Sequence, residues 1–186
     1  MACLIILQKN EITKITYLLQ KGEILVLPTD TVYGLALSLK KSEKANLIYQ
    51  IKQRNKEKPL AVVVSNLKMA KDLGKFDQNA LSLLEKYPAG KITLIVPKNS
   101  HVSYSYFQKL ENIGIRITAD KWLKKIVNLV GPLLMTSWNI SGCPSFTSPQ
   151  EGKTNNLIGG VVDGGTLTGK PSLVFDNISK KWIRLN

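Results

Sequence analysis

Four short runs in this chain are apolar at nearly every position: EILVLP at 23–28, PLAVVVS at 59–65, KITLIVP at 91–97 and PLLMTSW at 132–138. EILVLP reads as a buried strand and PLAVVVS as a fully buried one, which needs cover on both sides, while KITLIVP and PLLMTSW read as further strands. The stretches between the runs supply the cover. Lys9–Gln20 carries Ile12, Ile15, Leu18 and Leu19 at helical spacing and stops at Lys21-Gly22. Ser42 reads as an N-cap, and Ala45, Leu47, Ile48 and Ile51 give the apolar face of a helix reaching about Gln53. Leu67–Leu73 and Asn79–Tyr87 are two shorter helices. Asp120 opens another, with Trp122, Leu123, Ile126, Val127 and Val130 inward, and Gly131-Pro132 stops it.

The remaining segments read as strands and one loop. MACLIILQKN is a first strand. IGIRIT, 113–118, alternates Ile113, Ile115 and Ile117 on one face with Arg116 on the other. A Gly/Ser/Thr/Pro-rich loop follows from Ser141 to Thr154. The tail holds three short strands, in VVDGG, PSLVFD and KWIRLN, joined by turns. Strands alternate with helices for two-thirds of the chain and then cluster, which predicts an α/β fold with mixed strand directions. No repeat or linker divides it, so 1–186 is expected to be one domain.

No apolar stretch approaches the ~20 residues of a membrane span. The N-terminal apolar patch lacks the basic region and cleavage site of a signal peptide. A cytoplasmic protein without a membrane partner is the expectation. Cys3, Cys143 and the lone His101 cannot form a four-ligand zinc site, and no metal site is expected. A disulfide is not expected in a reducing compartment. His101, in the polar segment SHVSYSY, reads as a loop residue at the surface.

The net charge is +13, which favours anionic partners such as nucleotides, phosphates and RNA. Lysines scattered over a solvated surface would give the same sum. The arginines are more telling. Only Arg54, Arg116 and Arg184 stand among 23 lysines, and arginine alone offers a planar fork for carboxylate or phosphate. They are far apart in sequence, so a shared site would have to be assembled by the fold.

Three further segments could join them. LPTDTVYGLA ends the first apolar run with two threonines, although a turn needs only the Pro, the Asp or the Gly. KQRNKEKP sets Lys52, Arg54, Lys56 and Lys58 at a helix end, where cations suit the dipole and could also clamp a polyphosphate. It is no P-loop, and no GxGxxG is present. TSWNISG places Thr136, Ser137, Asn139 and Ser141 where a strand gives out, the usual ligand position in open α/β sheets. Ser137 and Asn139 should share one side of an extended segment, and SGCPSFTSP beyond them could close over a nucleotide. No carboxylate pair or Cys/His dyad appears. Such a site works by positioning and charge neutralisation, which suits nucleotidyl transfer.

PTDTVYGLA, KQR, PLAVVV, IRIT, SWNISG, DGG and PSLVFD occur in the order seen in the YrdC-like family, the L-threonylcarbamoyladenylate synthases, and the resemblance runs from Glu23 to about Arg184. It implies a single-domain open twisted mixed sheet flanked by helices, with a basic concave cleft. It implies that ATP, L-threonine and bicarbonate or CO2 become threonylcarbamoyl-AMP and pyrophosphate, for the N6-threonylcarbamoyl modification of tRNA adenosine. By position, Lys52 and Arg54 resemble the catalytic basic pair. Thr31, Arg116, Ser137 and Ser172 resemble residues around threonine. Arg54, Lys58, Asn139, Thr147 and Arg184 resemble residues around ATP. Mg2+ is implied with ATP and without a protein ligand set. The implied partners are the three substrates, tRNA or another RNA, and a downstream threonylcarbamoyl-transfer complex. Thr29 is assigned to the turn. Trp138, Leu173 and Val63 depart from the family pattern, and the extra carboxy-terminal domain of longer members is not expected.

Two other readings remain open from sequence. A non-catalytic RNA-binding module fits the charge, although 13 aromatic residues with no paired RNA-recognition motif speak mildly against it. The carbamoyl-transfer domain of the related hydrogenase-maturation enzyme is the other, without its zinc-finger and acylphosphatase segments.

Overall fold

All four unbroken apolar runs lie in one sheet. The structure, a computed structural model, describes residues 5–151 and 155–185. Within them the strands are β1 (Ile6–Gln8), β2 (Ile24–Leu27), β3 (Gly34–Ser38), β4 (Ala61–Val64), β5 (Ile92–Pro97), β6 (Asn112–Ile117), β7 (Leu133–Ser137), β8 (Ile158–Asp163), β9 (Leu173–Asp176) and β10 (Lys181–Arg184). The helices are α1 (Ile12–Lys21), α2 (Ala45–Lys52), α3 (Leu67–Leu73), α4 (Gln78–Lys86) and α5 (Lys121–Val130). Residues 1–4 of the first predicted strand, with Cys3, the loop end at 152–154, and Asn186 lie outside the described residues.

The spatial order is β1-β8-β2-β3-β7-β4-β6-β5-β9-β10. The pairs β1/β8, β2/β8, β4/β6 and β5/β9 are parallel, and the other neighbours are antiparallel. Side chains alternate between the faces. Ile24 and Val26 of β2 and Val62 and Val64 of β4 pack with Ile48 of α2, Leu73 of α3 and Ala80 of α4. Leu25, Leu27 and Val63 point the other way, onto Ile15 and Leu19 of α1 and Leu123, Ile126 and Val127 of α5. Each such Val, Leu or Ile side chain contributes about 1.5–3 kcal/mol by leaving water.

The α1/α5 layer stops at β4, and none of its buried residues comes from β5, β6, β9 or β10. Val63 lies in register with Arg116, Thr93 with Val174, and Val174 with Arg184. Leu94 opposite Ile115 sets Thr93 beside Arg116. One row across the sheet thus joins Arg116 to Arg184, although 68 positions separate them in the sequence.

Three features differ from the sequence reading. LALS is a strand of its own, so LPTDTVYGLA forms the β2–β3 hairpin, with Leu27 opposite Gly34. Ser42 does not cap α2; its Oγ lies 3.0 Å from Ser105 Oγ inside the tight turn Leu39–Lys44. The tail strands do not cluster in space. β8 slots between β1 and β2, while β9 and β10 extend the far end beside β5. The link between β8 and β9 passes the hairpin, where Tyr33 Oη donates to Gly165 O (2.7 Å) and accepts from Gly164 N (2.9 Å).

Candidate active site

The hairpin loop organises one side of the site. Thr29 Oγ1 donates to Val32 O (2.7 Å) and accepts from Thr31 N (3.1 Å), so Thr29 does serve the turn. Its one proton is committed there. The 3.0 Å contact between Thr29 Oγ1 and Thr31 Oγ1 must therefore use the proton of Thr31. Arg116 Nη1 donates to Thr31 Oγ1 at 3.1 Å. Thr31 Oγ1 is left with acceptor capacity only.

Asp30 fixes this arrangement from behind. Its carboxylate accepts from Thr118 Oγ1 (2.6 Å), Ala119 N (2.7 Å) and Asp120 N (2.6 Å) and lies 3.9 Å from Arg116 Nη2. One carboxylate thus ties the hairpin to the start of α5 and to the arginine. Arg116 is 8% exposed, and its Nε is a buried donor without a hydrogen-bond partner. Such groups cost about 1–3 kcal/mol and concentrate at functional sites.

Ser172 extends the row. Its Oγ is 2.9 Å from Thr93 Oγ1 and accepts from Arg184 Nη2 (3.2 Å), while Arg184 Nε donates to Ser172 O (2.8 Å).

The other side is built at the end of β7. Helix α2 closes with Gln53 in the left-handed region at φ 49°, and the chain changes direction between Lys52 and Arg54. Lys52 turns inward. Its Nζ donates to Ser137 O (2.6 Å), Asn139 O (3.1 Å) and Asn139 Oδ1. Ser137 Oγ also donates to Asn139 Oδ1 (2.8 Å), so these two residues do share one side. Asn139 Nδ2 donates to Cys143 O at 2.6 Å. Arg54 goes the other way, with Nε on Lys58 O (3.0 Å) and Nη2 on Pro59 O (3.3 Å). The Lys58 side chain is exposed, and Thr147 Oγ1 donates to Glu151 (2.8 Å).

Electrostatics join the two sides. Burial lowers the Lys52 pKa to about 8, and the charge of Arg54 adds to the effect. Arg184 is lowered by burial and then by Arg54. Arg116 is lowered by burial, raised by Asp30 and lowered again by Arg184. Lys52, Arg54, Arg184 and Arg116 are therefore successive electrostatic neighbours. Among the described residues Asp30 is the one carboxylate ion-paired with any of them. The strand register brings Arg116 and Arg184 into one row, and the charge of Arg54 reaches Arg184.

Sequence reasoning missed Asp30, Thr118 and Thr93. The i, i+2 spacing of Arg116 and Thr118 within IGIRIT was a signal for Thr118. Asp30 stood inside the quoted hairpin, but its partners come from β6 and from the link between β6 and α5. Of the departures from the family pattern, Trp138 and Leu173 pack on the core opposite Arg116, whereas Val63 stands in register beside Arg116. Trp138 is 3% exposed and packs edge-on against Phe146 at 4.9 Å and Tyr33 at 6.4 Å. Val63 belongs to the α1/α5 layer, and Leu173 packs against the opposite core.

Comparison with known proteins settles the kinship. The Sua5/YciO/YrdC family model, described as telomere recombination, matches residues 17–185. The chain belongs to this family. A threonylcarbamoyl-AMP synthase of Bacillus subtilis is 31% identical over 160 residues, which cover 83% of this chain and 46% of that protein. The crystal structure of P. abyssi Sua5 complexed with L-threonine superposes with a TM-score of 0.83 at 26% identity, covering 95% of this chain and 55% of that one. E. coli YciO shares the fold, with a TM-score of 0.83, 22% identity and coverage of 95% and 90%. The chain spans about half the length of the first curated Sua5/YciO/YrdC relatives it matches.

Proposed function

We propose that this domain is an L-threonylcarbamoyladenylate synthase, joining L-threonine, CO2 from bicarbonate and ATP into threonylcarbamoyl-AMP with release of pyrophosphate. One observation carries the reading. Arg184 bonds Ser172, Ser172 meets Thr93, and Thr93 lies beside Arg116, while the charge of Arg54 reaches both Arg184 and Lys52; among the described residues Asp30 is the one carboxylate ion-paired with any of them. That surplus of positive charge suits a carboxylate and a triphosphate held side by side. Relatives named threonylcarbamoyl-AMP synthase, and one crystallised with L-threonine, support the choice of substrates.

In this reading Arg116 takes the threonine carboxylate as a fork. Thr31 Oγ1 accepts from the amine, and Ser137 and Ser172 complete the amino-acid side. Arg54, Lys58 and Arg184 neutralise the triphosphate, and Asn139 and Thr147 meet the nucleoside. Lys52, with its donors on Ser137 and Asn139, acts through its charge and by holding those two residues. The free amine adds to CO2 and gives up a proton to form a carbamate. A carbamate oxygen then bonds to the α-phosphorus as the bond to the pyrophosphate oxygen breaks. The carbamate decomposes in water, so holding it beside the phosphate is the main catalytic task. Mg2+ comes in as part of the ATP substrate and neutralises its phosphates. Among the described residues no group of three His, Cys, Asp or Glu gathers to hold a metal. The product would pass to a threonylcarbamoyl-transfer complex acting on tRNA.

Mass spectrometry after incubation with ATP, Mg2+, L-threonine and 13C-bicarbonate tests this. The expected product is an adenylate carrying both threonine and the label. An adenylate lacking threonine, or none at all, would overturn it.

A further inference from the structure

The loop that carries Arg54 is held by its own hydrogen bonds and lies open to solvent. Asn55, Lys56, Glu57, Lys58 and Pro59 are all exposed. Beside it opens a groove of about 580 Å3, lined by Tyr49, Lys56, Pro59, Ser105, Tyr106 and Lys109 among others. Two phenols meet in that groove, and none of the roles assigned so far involves them.

Leu60 N donates to Tyr106 Oη at 2.6 Å. Tyr49 Oη donates to Lys58 O at 3.2 Å, and the two hydroxyls are 2.8 Å apart. Each phenol has one proton. That of Tyr49 goes to Lys58 O, so Tyr106 donates to Tyr49. Burial holds the Tyr106 phenol above its ordinary range, which keeps that proton in place. The result is a directed chain: Leu60 N–H to Tyr106, Tyr106 to Tyr49, Tyr49 to Lys58 O. Lys58 O is also the acceptor of Arg54 Nε, at 3.0 Å. The phenols therefore close the loop at both ends and fix the carbonyl on which the guanidinium rests.

We propose that Tyr106 and Tyr49 are positioning residues for Arg54: their hydroxyls orient the Lys58 carbonyl and through it aim the guanidinium at the phosphates of ATP. This rests on the ATP-binding role proposed for Arg54. Removing the Tyr49 hydroxyl takes its bond from the Lys58 carbonyl directly, whereas removing the Tyr106 hydroxyl takes away the donor that orients Tyr49 and the acceptor of Leu60 N. Arg54 then keeps its charge and loses its orientation.

The test measures ATP binding by calorimetry without threonine, and steady-state KM for each substrate, in Tyr106→Phe, Tyr49→Phe and Arg54→Ala. Lys180→Ala, which breaks the distant Lys180–Asp77 ion pair (2.8 Å), serves as a stability control. Either Phe variant should weaken ATP binding about fivefold or more, the size of one lost hydrogen bond. KM for threonine should stay within about twofold of the unmodified protein. Lys180→Ala should leave ATP binding unchanged. Unchanged ATP binding in both Phe variants, with Arg54→Ala impaired, would overturn the positioning role while leaving the functional reading intact. Equal loss for both substrates would mark the phenols as merely structural. Unchanged ATP binding in Arg54→Ala would remove the underlying role itself, and the proposal with it.

Discussion

Replacing Arg116 by Ala tests the amino-acid side of the site most sharply. The guanidinium donates from Nη1 to Thr31, lies 3.9 Å from Asp30 through Nη2 and has an unpartnered Nε. Its remaining N–H groups allow two bonds to a carboxylate. Charge-assisted bonds contribute about 1.5–3 kcal/mol each, so losing the fork costs roughly 3 kcal/mol or more. That is about a 150-fold rise in KM for threonine. Arg116→Lys keeps the charge and one bond, and should raise it about tenfold or somewhat more. The fold should tolerate both changes, because Asp30 keeps Thr118 Oγ1 and two backbone N–H groups as donors. The assay is pyrophosphate release at varied threonine with ATP saturating, then the reverse. KM for ATP should move by no more than about twofold. Equal losses for both substrates would refute the assignment.

Three other predictions follow from the same geometry. Asp30→Asn removes the charge that three donors and Arg116 share, and should cost about 2–3 kcal/mol, a fall in Tm of roughly 4–12 °C by thermal melting. A Tm within a degree of the unmodified protein would contradict the tie between hairpin and α5. Gly169→Ala would drive a Cβ into Thr31 O, so the β8–β9 link or the hairpin must move. It should destabilise by about 1–3 kcal/mol and raise KM for threonine more than for ATP; unchanged threonine kinetics would argue that the link gives way alone. Lys52 has a folded pKa of about 8, below the 10.5 of a free lysine. Between those values the unfolded chain binds the extra proton, so stability rises with pH across that window. Denaturant midpoints relative to Lys52→Met should rise from pH 8 towards 10.5, and a falling difference would contradict the burial of a charged amine.

The sequence reading succeeds where the signal is local. Runs such as PLAVVV have no polar face, so their place in a doubly covered sheet follows from periodicity alone. Asp120 caps α5 as its position suggests, with Oδ1 accepting from Leu123 N at 2.7 Å. The scarcity of arginine was likewise legible, because the lysine-rich background makes each exception visible. What failed was non-local. Ser42 looks like a cap but finds Ser105, 63 residues away. The tail strands are neighbours in sequence, yet their pairing is set by β2 and β5, which no tail residue announces. The direction of Lys52 depended on the left-handed turn at Gln53, a conformation that glutamine does not advertise. Asp30 is hard to single out because a carboxylate two residues after a proline reads as turn chemistry until Thr118 and Arg116 are seen around it.

In the proposed function one site unites threonine, CO2 and ATP. The direct test is pyrophosphate release from ATP and Mg2+, with L-threonine and bicarbonate each added or omitted. Release that requires both is the predicted result. Release indifferent to threonine, or no release in any combination while the protein binds RNA in a salt-dependent way, would contradict it.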